Sequence, residues 1–393
     1  MIEGWKKVTL DKIANINMGQ SPPSSSYNEV GEGSYLIQGN ADIKNRKSLP
    51  RQWTSEPKKF CDIGDILMTV RAPVGAIAKS IHKACIGRGV CSIKANNSDN
   101  EYLYQFLLSY ESKWKSLEQG STFTAVNGTD IRGIKIPLPP LLEQQKIANI
   151  LSTVDDKIEI INQQITETQE LKKGLMQRLL SKGIGHTEFK DSTLGEIPVS
   201  WEVMKLEEVA EISRGKFQHR PRNDPKFYGG EYPYVQTGDI AKSNGKILKY
   251  SQSLNELGLS VSRLFPKGTI VITIAANIGD TAIAQFEIAF PDSLIGINVS
   301  EGLNNLFLRY FLVTQKNNLN KLSTVSAQKN INLETLKPYK IPFPPIEEQE
   351  KIATILSSVD EKLAVLSEKK TTYQELKKGL MQQLLTGLVR VKV

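Results

Sequence analysis

One stretch occurs twice in the chain: Gln169-Glu170-Leu171-Lys172-Lys173-Gly174-Leu175-Met176-Gln177, and the same nine residues again from Gln374 to Gln382. The match extends outward at a constant offset of 205 residues and contains 27 identities in the 48 positions from 136 to 183. It begins at a proline-rich string, Ile136-Pro137-Leu138-Pro139-Pro140, whose second copy is Ile341-Pro342-Phe343-Pro344-Pro345. A gap-free match of this length does not arise by chance, so the chain contains an internal duplication.

Each copy of the repeat predicts a long helix. The prolines stop any preceding helix, and a helix from 141 to 180 is roughly 60 Å long at 1.5 Å per residue. We expect each helix to cover the apolar stripe of the other; in the alternative, each helix packs only on its own domain. The stripe has the period of a coiled-coil seam, and it consists of Ile147, Leu151, Val154, Ile158, Ile161 and Ile165 in the first copy and Ile352, Leu356, Val359, Leu363 and Leu366 in the second.

A glycine interrupts both predicted helices at the same place, at Gly174 and at Gly379. Glycine in a helix interior costs about 1 kcal/mol. Its presence in both copies predicts a close approach between helices or a bend at that point.

The segments between the repeats are related more weakly. Trp5 and Trp201 begin equivalent patterns, and Tyr35-Leu36-Ile37-Gln38 resembles Tyr232-Pro233-Tyr234-Val235-Gln236. A turn glycine and a buried-strand run at 64–70 recur at 268–274. Short strands with helices near 100–117 and 303–322 predict an α+β fold, in which two mixed α/β domains are each followed by a long helix. The predicted bounds are 1–140 and 186–345 for the domains and 141–185 and 346–393 for the helices.

The composition is that of an ordinary globular protein, with 39% hydrophobic and 23% charged residues. The net charge of +8 permits a polyanionic partner but does not establish one. No signal peptide is evident at the start, and Asn277 and Asp280 interrupt the most apolar stretch, which is too short to cross a bilayer. Three cysteines cannot build a disulfide framework. We expect a cytoplasmic protein with no membrane partner.

The sequence contains little that could be catalytic apparatus. The Gly-Lys pairs at 215–216 and 245–246 lack the residues and spacing of a phosphate-binding P-loop. A nuclease-like set of Asp99, Glu111 and Lys113 falls in a predicted amphipathic helix, where such matches arise by chance. His82 and the cysteines could bind zinc, but their spacing contains no C-x2-C knuckle. We predict no catalytic residue and no metal site, with a nuclease and a zinc site as the weaker alternatives.

These motifs together resemble the specificity subunit of type I restriction–modification systems. The resemblance rests on the proline-rich string with the Glu-Gln-Gln-Lys-Ile-Ala and Leu-Ser-x-Val-Asp motifs that follow it, over 136–155 and again, with small changes, over 341–360. Both Leu-Lys-Lys-Gly-Leu-Met-Gln strings and the segment from Gly195 to Trp201 also match the family. The resemblance covers essentially the whole chain.

The resemblance implies a division of labour. Two target-recognition domains each read one half of an asymmetric, interrupted site in double-stranded DNA. The two helices pack as an antiparallel coiled coil, set the distance between the half-sites and dock two modification subunits. S-adenosylmethionine is expected on those subunits and no cofactor on this chain, which has no activity of its own. Restriction subunits can join the complex.

Candidate DNA-binding residues are the polar side chains between the shared landmarks, because phosphate contacts position a protein and base contacts specify sequence. In the first domain they are Gln38, Asn40, Arg46, Lys47, Arg71, Arg88, Thr122, Thr124 and Asn127. In the second they are Arg214, Lys216, Gln218, His219, Arg220, Arg222, Gln236, Lys242, Asn277, Ser326, Gln328, Lys329 and Asn330. The alternative for each is a solvated charge or a turn-forming residue.

Two other functions fit the same sequence features. A stand-alone DNA-binding protein, or the specificity module of a type II-like methyltransferase or nuclease, has the same domains without the type I partners. A coiled-coil scaffold has the same helices and does not bind DNA.

Overall fold

The chain forms two compact units. The computed structural model describes residues 3–120, 125–219, 221–275, 277–324 and 330–392. The first unit comprises Met1–Gln163 and Ser367–Val393, and the second comprises Gln164–Leu366. The predicted bounds of domains and helices divide the chain consecutively instead, and they stay a prediction.

The described residues of the first unit form a main sheet, a small sheet and a separate pair of strands. Its main sheet has the strand order Ala14–Met18, Val90–Ala95, Ile66–Thr69, Ile77–Lys79, Lys47–Ser48 and Ile43–Lys44. Its small sheet has the order Tyr27–Asn28, Gln52–Thr54, Ser34–Ile37, Ala84–Ile86 and Phe60–Cys61. An antiparallel strand pair, Lys6–Thr9 with Lys135–Leu138, precedes the long helix. The remaining elements are helices Asn100–Gly120 and Gly128–Arg132 and 3-10 turns Leu10–Lys12, Ser24–Ser26 and Asn40–Asp42.

The second unit repeats this plan. Its main sheet has the order Ala210–Arg214, Leu294–Val299, Ile270–Thr273, Thr281–Ala284 and Lys246–Ile247, and its small sheet the order Gln252–Leu254, Tyr228–Tyr234, Ile288–Ala289 and Leu264–Phe265. The strand pair is Glu202–Lys205 with Lys340–Phe343, and Phe189–Ser192 with Gly195–Pro198 forms a hairpin. The helices are Leu206–Val209, Thr237–Lys242, Glu256–Ser260, Asn305–Thr314, Lys316–Thr324 and Leu333–Leu336, with a 3-10 turn at Pro225–Phe227. The predicted mixed α/β domains are confirmed.

The uninterrupted apolar run of the central strand is explained by a core on each face of the main sheet. Successive side chains of a strand point to opposite faces. Ile66 and Met68 pack in the core that includes helix Asn100–Gly120, whereas Leu67 packs in the core beneath the small sheet. In the second unit Ile270 and Ile272 alternate with Val271 in the same way.

The repeat forms two long helices, Leu141–Lys182 (repeat helix 1) and Ile346–Leu384 (repeat helix 2). In the first unit, the beginning of repeat helix 1 runs antiparallel to the end of repeat helix 2. Ile147 and Leu151 share a core with Leu384, and Asp155 accepts hydrogen bonds of 2.6 and 2.7 Å from Lys377. In the second unit, Met176 and Leu179 share a core with Ile352 and Leu356, and Lys172 lies 2.5 Å from Asp360.

The predicted pairing of the helices is therefore confirmed. All seam residues are buried or half-buried: Ile147, Leu151, Val154, Ile158, Ile161, Ile165, Ile352, Leu356, Val359, Leu363 and Leu366. The alternative also holds for the first turns, because Ile147 and Ile352 pack on the cores of their own domains. The prediction for the glycines was wrong for close approach: in the described part of the chain, a Cβ at Gly174 or at Gly379 would meet nothing within 4 Å.

Two side chains at the start of each repeat helix bind the domain that precedes it. Glu143 accepts a 3.1 Å hydrogen bond from the indole of Trp5, and its repeat equivalent Glu348 accepts one of 2.9 Å from Trp201. The next residue is glutamine in both copies. Gln144 accepts the Asp99 backbone N–H at 2.8 Å and Gln349 that of Asn304 at 2.8 Å, so each glutamine holds the start of a domain helix. The motif Pro-Pro-x-x-Glu-Gln is thus the joint between domain and helix.

We expect the charges of Asp155 and Lys377 to be energetically coupled. Lys377→Asp places two carboxylates together and should destabilise the first unit by about 1 kcal/mol, since Asp155 is partly exposed. Asp155→Lys should have a similar cost, and the double reversal should restore most of the loss. Urea unfolding of the four proteins measures the coupling. Strictly additive effects would show that the two charges do not interact.

Glu143 should make stability depend on pH. Burial by itself raises its pKa, but hydrogen bonds from Arg390 and Trp5 outweigh burial and hold the pKa below its ordinary value of 4.5. The resulting stabilisation is fully present above that ordinary value and is lost as pH falls through the lowered pKa. We expect Glu143→Gln to lower the melting temperature at pH 7, with a difference from wild type that shrinks below about pH 4.5. Glu170→Gln, at an exposed position of the same helix, is the control; a gap that did not change with pH would contradict the prediction.

Candidate nucleic-acid interface

Two glutamines meet on the small sheet of each unit. In the second unit the Gln236 amide donates a 2.5 Å hydrogen bond to the Gln252 side-chain oxygen, and in the first Gln38 donates one of 3.5 Å to Gln52. Each pair lies where a strand of the small sheet ends, at the surface of its unit. Gln252 and Gln236 are exposed, and Gln38 and Gln52 are half-buried.

In the second unit the glutamine pair borders a cavity of about 210 Å³. Its lining residues are Arg222, Asn223, Tyr228, Tyr234, Gln236, Thr237, Gln252, Pro291 and Ser293. Asp292 lies 2.5 Å from the Arg222 guanidinium, and in the described part of the chain the buried Arg222 Nε has no hydrogen-bond partner. Amide, guanidinium and phenol groups at one surface cavity can bind the edges of bases or a phosphate.

In the first unit the loop that carries Arg88 packs against Gln38 of the glutamine pair. A Cβ at Gly89 would lie 2.1 Å from the Gln38 carbonyl oxygen, so only glycine lets this loop approach Gln38. The Arg88 backbone N–H donates to the Ser21 hydroxyl at 3.1 Å, and the Arg88 side chain is exposed. The structure therefore brings together the sequence-predicted residues Gln38 and Arg88, and in the second unit Arg222 and Gln236.

Several other candidates serve the fold. Arg46 forms a bidentate ion pair with Glu111; burial by itself lowers the pKa of Arg46, but the bond to Glu111 raises it overall. Lys47 lies 2.5 Å from Glu159. Asn127 caps helix Gly128–Arg132 by accepting two backbone N–H groups. These contacts make such residues weaker candidates for DNA contact than the glutamine sites.

The remaining candidates are spread over each surface. Those that are exposed are Asn40, Arg71, Arg214, Lys216, Gln218, Lys242 and Asn277, and those half-buried are His219 and Asn330. The His219 ring lies 4.4 Å from that of Phe227, and Asn277 has a positive φ of 46° in the loop after strand Ile270–Thr273. Six candidates lie outside the described residues: Thr122, Thr124, Arg220, Ser326, Gln328 and Lys329.

Sequence reasoning missed the second glutamine of each pair, Gln52 and Gln252. They follow Gln38 and Gln236 by 14 and 16 residues, so no shared spacing reveals them. Their neighbours differ as well, because Arg51 precedes one and Ser251 the other. Only the strand register shows that they are equivalent.

The nuclease alternative and the zinc alternative find no support in this geometry. Glu111 accepts a hydrogen bond of 2.7 Å from the Ile77 backbone N–H and also binds Arg46. Asp99 accepts one of 2.8 Å from the Tyr102 backbone N–H at the start of the helix. Within the described ranges, no three His, Cys, Asp or Glu residues are placed to hold a metal ion. The three cysteines are buried and free. The described helices include none with the length and apolarity to span a membrane.

Comparison with known proteins places this duplicated α+β architecture in one class. The chain superposes on the type I restriction–modification S subunit of M. genitalium with a TM-score of 0.65 over 97% of this chain and 96% of that chain, at 16% identity. The chain is 33% identical to the putative type I restriction enzyme MjaX specificity subunit of Methanocaldococcus jannaschii, over 78% of this chain and 72% of the relative. To the MjaVIII specificity subunit of the same organism it is 36% identical, over 75% of this chain and 71% of the relative.

The family model for the type I restriction modification DNA specificity domain matches twice, at residues 2–170 and 198–378. The two matches correspond to the two copies of the duplicated plan described above. The chain therefore belongs to the family of type I restriction modification DNA specificity proteins, and the resemblance inferred from the repeat motifs is confirmed.

Asn127 should behave as a helix cap and not as a reader of bases. Asn127→Ala removes the acceptor for the N–H groups of Thr129 and Asp130 and should lower the free energy of unfolding by about 1 kcal/mol. Asn332→Ala, at the repeat-equivalent cap of helix Leu333–Leu336, should have a similar effect and is the matched control. Denaturant unfolding and DNA sequence preference are measured together. A changed base preference with unchanged stability would identify Asn127 as a direct reader.

Proposed function

We propose that this chain is the DNA-specificity subunit of a type I restriction–modification complex, in which each domain reads one half of an interrupted, asymmetric site in double-stranded DNA. The observation that carries the proposal is the repetition of one surface geometry with different surroundings. Both small sheets present a glutamine pair, but the loop that carries Arg88 packs against the first, and Arg222 with two tyrosines lines the cavity at the second. Two domains that share one backbone arrangement but carry different side chains at this surface suit two different half-sites.

We further propose that the paired repeat helices set the spacing between the half-sites. A rigid spacer between two reading heads converts its length into a distance along DNA. Linking two readers also raises the effective concentration of the second once the first has bound. The seam residues and the Asp–Lys pairs of each unit support this role, because they hold the helices in one register.

We propose that two modification subunits bind this chain and bring S-adenosylmethionine and the methyl-transfer chemistry, with restriction subunits able to join. Exposed apolar side chains support a partner that is present in two copies. Ile160 and its repeat equivalent Val365 are 49% and 50% exposed, and Leu171 and its equivalent Leu376 are 53% and 48% exposed. Apolar groups left in water at matching positions of a duplicated helix suit two copies of one docking surface. The chain itself is then a non-catalytic, cytoplasmic subunit.

The decisive experiment exchanges residues 1–140 for the first domain of a relative with a known site. The hybrid and the native chain are each expressed with the modification subunit of this system, and adenine methylation is mapped across the genome. We expect one half-site to change while the other half and the spacing are kept. Changes in both halves would contradict modular reading, and methylation of a continuous site would contradict the bipartite proposal. Methylation that does not require this chain would contradict its role as specificity subunit.

A further inference from the structure

The glutamine pair has the same strand register in both small sheets. Gln52 lies opposite Leu36 in the pairing of strands Gln52–Thr54 and Ser34–Ile37, and Gln38 follows Leu36 by two residues. Gln252 lies opposite Tyr234, and Gln236 follows Tyr234 by two residues. The two glutamines of each unit are therefore diagonal neighbours, a position from which side chains on adjacent strands can meet.

An aspartate next to each glutamine pair accepts hydrogen bonds from both strands that carry the pair. Asp42 accepts the Gln38 backbone N–H at 2.8 Å and the side chain of Arg51 at 3.0 Å. Asp239 accepts the Gln236 backbone N–H at 2.9 Å and the hydroxyl of Ser251 at 2.8 Å. In both units, the second donor is the residue immediately before the second glutamine. One carboxylate thus fixes both strands that present the pair, although the donor is arginine in one unit and serine in the other.

A contribution to fold stability does not explain why the two glutamine side chains are held together. A hydrogen bond between neutral groups contributes about 1 kcal/mol when protected, and an exposed one contributes less because water competes. Gln236 and Gln252 are both exposed, yet their amides are held in contact. A pre-positioned surface amide pair is what a recognition site needs, because little side-chain entropy remains to be lost on binding.

We infer that each glutamine pair reads an adenine, at corresponding positions of the two half-sites; this inference rests on the proposed function. The bond between the amides uses one N–H of Gln236 and the oxygen of Gln252, and it leaves the Gln236 oxygen as an acceptor and the Gln252 NH₂ as a donor. In the major groove, adenine presents the N6 amino donor and the N7 acceptor, whereas guanine presents two acceptors. One acceptor and one donor therefore match the adenine edge.

The shared pair and its different neighbours have separate consequences. The pair specifies the same base in both half-sites, because its strand register and the direction of its amide hydrogen bond are the same in both units. The loop that carries Arg88 packs against Gln38 in the first unit, and Arg222 lines the cavity at the pair in the second, so the two arginines come from different chain segments. They contact the bases or phosphates beside the adenine, and these contacts make the two half-sites different.

The test uses the full chain assembled with its modification subunits and a library of double-stranded DNA with random half-sites, sequenced after binding. Wild type should enrich an interrupted site with adenine at one position of each half. Gln52→Ala should relax that position in one half about tenfold, and Gln252→Ala should relax it only in the other half. Each variant is the other's control, because normal reading by the unaltered unit shows that the chain is folded. Gln52→Glu and Gln252→Glu should shift the preference toward cytosine, whose N4 amino group donates to a carboxylate.

The outcomes separate this inference from the proposed function. A uniform loss of affinity across all sequences would overturn the inference, since it indicates a phosphate contact or a structural role. A relaxed position that is not adenine, or relaxation in both halves by a single substitution, would also overturn it. If wild type enriches no interrupted site at all, the proposed function fails, whatever the variants do.

Discussion

A half-buried lysine on the seam between two helices is stabilised by a nearby carboxylate, because its charge has limited access to water. Lys377 and Lys172 have such partners in Asp155 and Asp360, each within its own unit. Each ion pair joins a lysine of one helix to an aspartate of the other, so the apolar seam supplies association and the ion pairs add to the register. The rest of the structure depends on that register.

The aspartates of the seam ion pairs also bind the domains, and so connect the helix register to the position of each domain. Asp155 also accepts a 2.8 Å hydrogen bond from Gln105, and Asp360 one of 2.8 Å from Tyr310, each on a helix of the domain in the same unit. Residues 105 and 310 are repeat equivalents, so different side chains make the same connection. The Glu-Gln joint at the start of each repeat helix adds a second fixed point. Two points of attachment orient a domain on a helix, and this suits a spacer whose length and angle both matter.

The sequence predicts the parts of this protein whose physical requirement is local. The seam residues follow from their spacing, and the central strands at 66–69 and 270–273 follow from an apolar run after a turn glycine, because both patterns act between near neighbours in the chain. The roles of Arg46 and Asn127 could not be read in this way. The first depends on Glu111, 65 residues away, and the second on the chain entering a helix of only five residues. The empty space around Gly174 was missed as well, because the predicted seam ends at Ile165 and does not fix the face on which residue 174 lies.

The contacts of Glu143 and Glu348 show why some residues are identical in the two copies of the repeat and others differ. Glu143 binds Arg390 near the end of the chain, whereas its equivalent Glu348 binds His186 just after repeat helix 1. In both units, therefore, a side chain from the segment after a repeat helix forms a further hydrogen bond to the glutamate that the tryptophan indole also binds. The glutamate and the tryptophan are constant because each has one geometry to satisfy, and the third partner varies because several side chains can reach a carboxylate. The small sheets follow the same rule, with Asp and Gln constant and Arg51 or Ser251 supplying the variable donor. A duplicated chain can therefore diverge at the outer donors while the inner contacts keep both domains in the same frame.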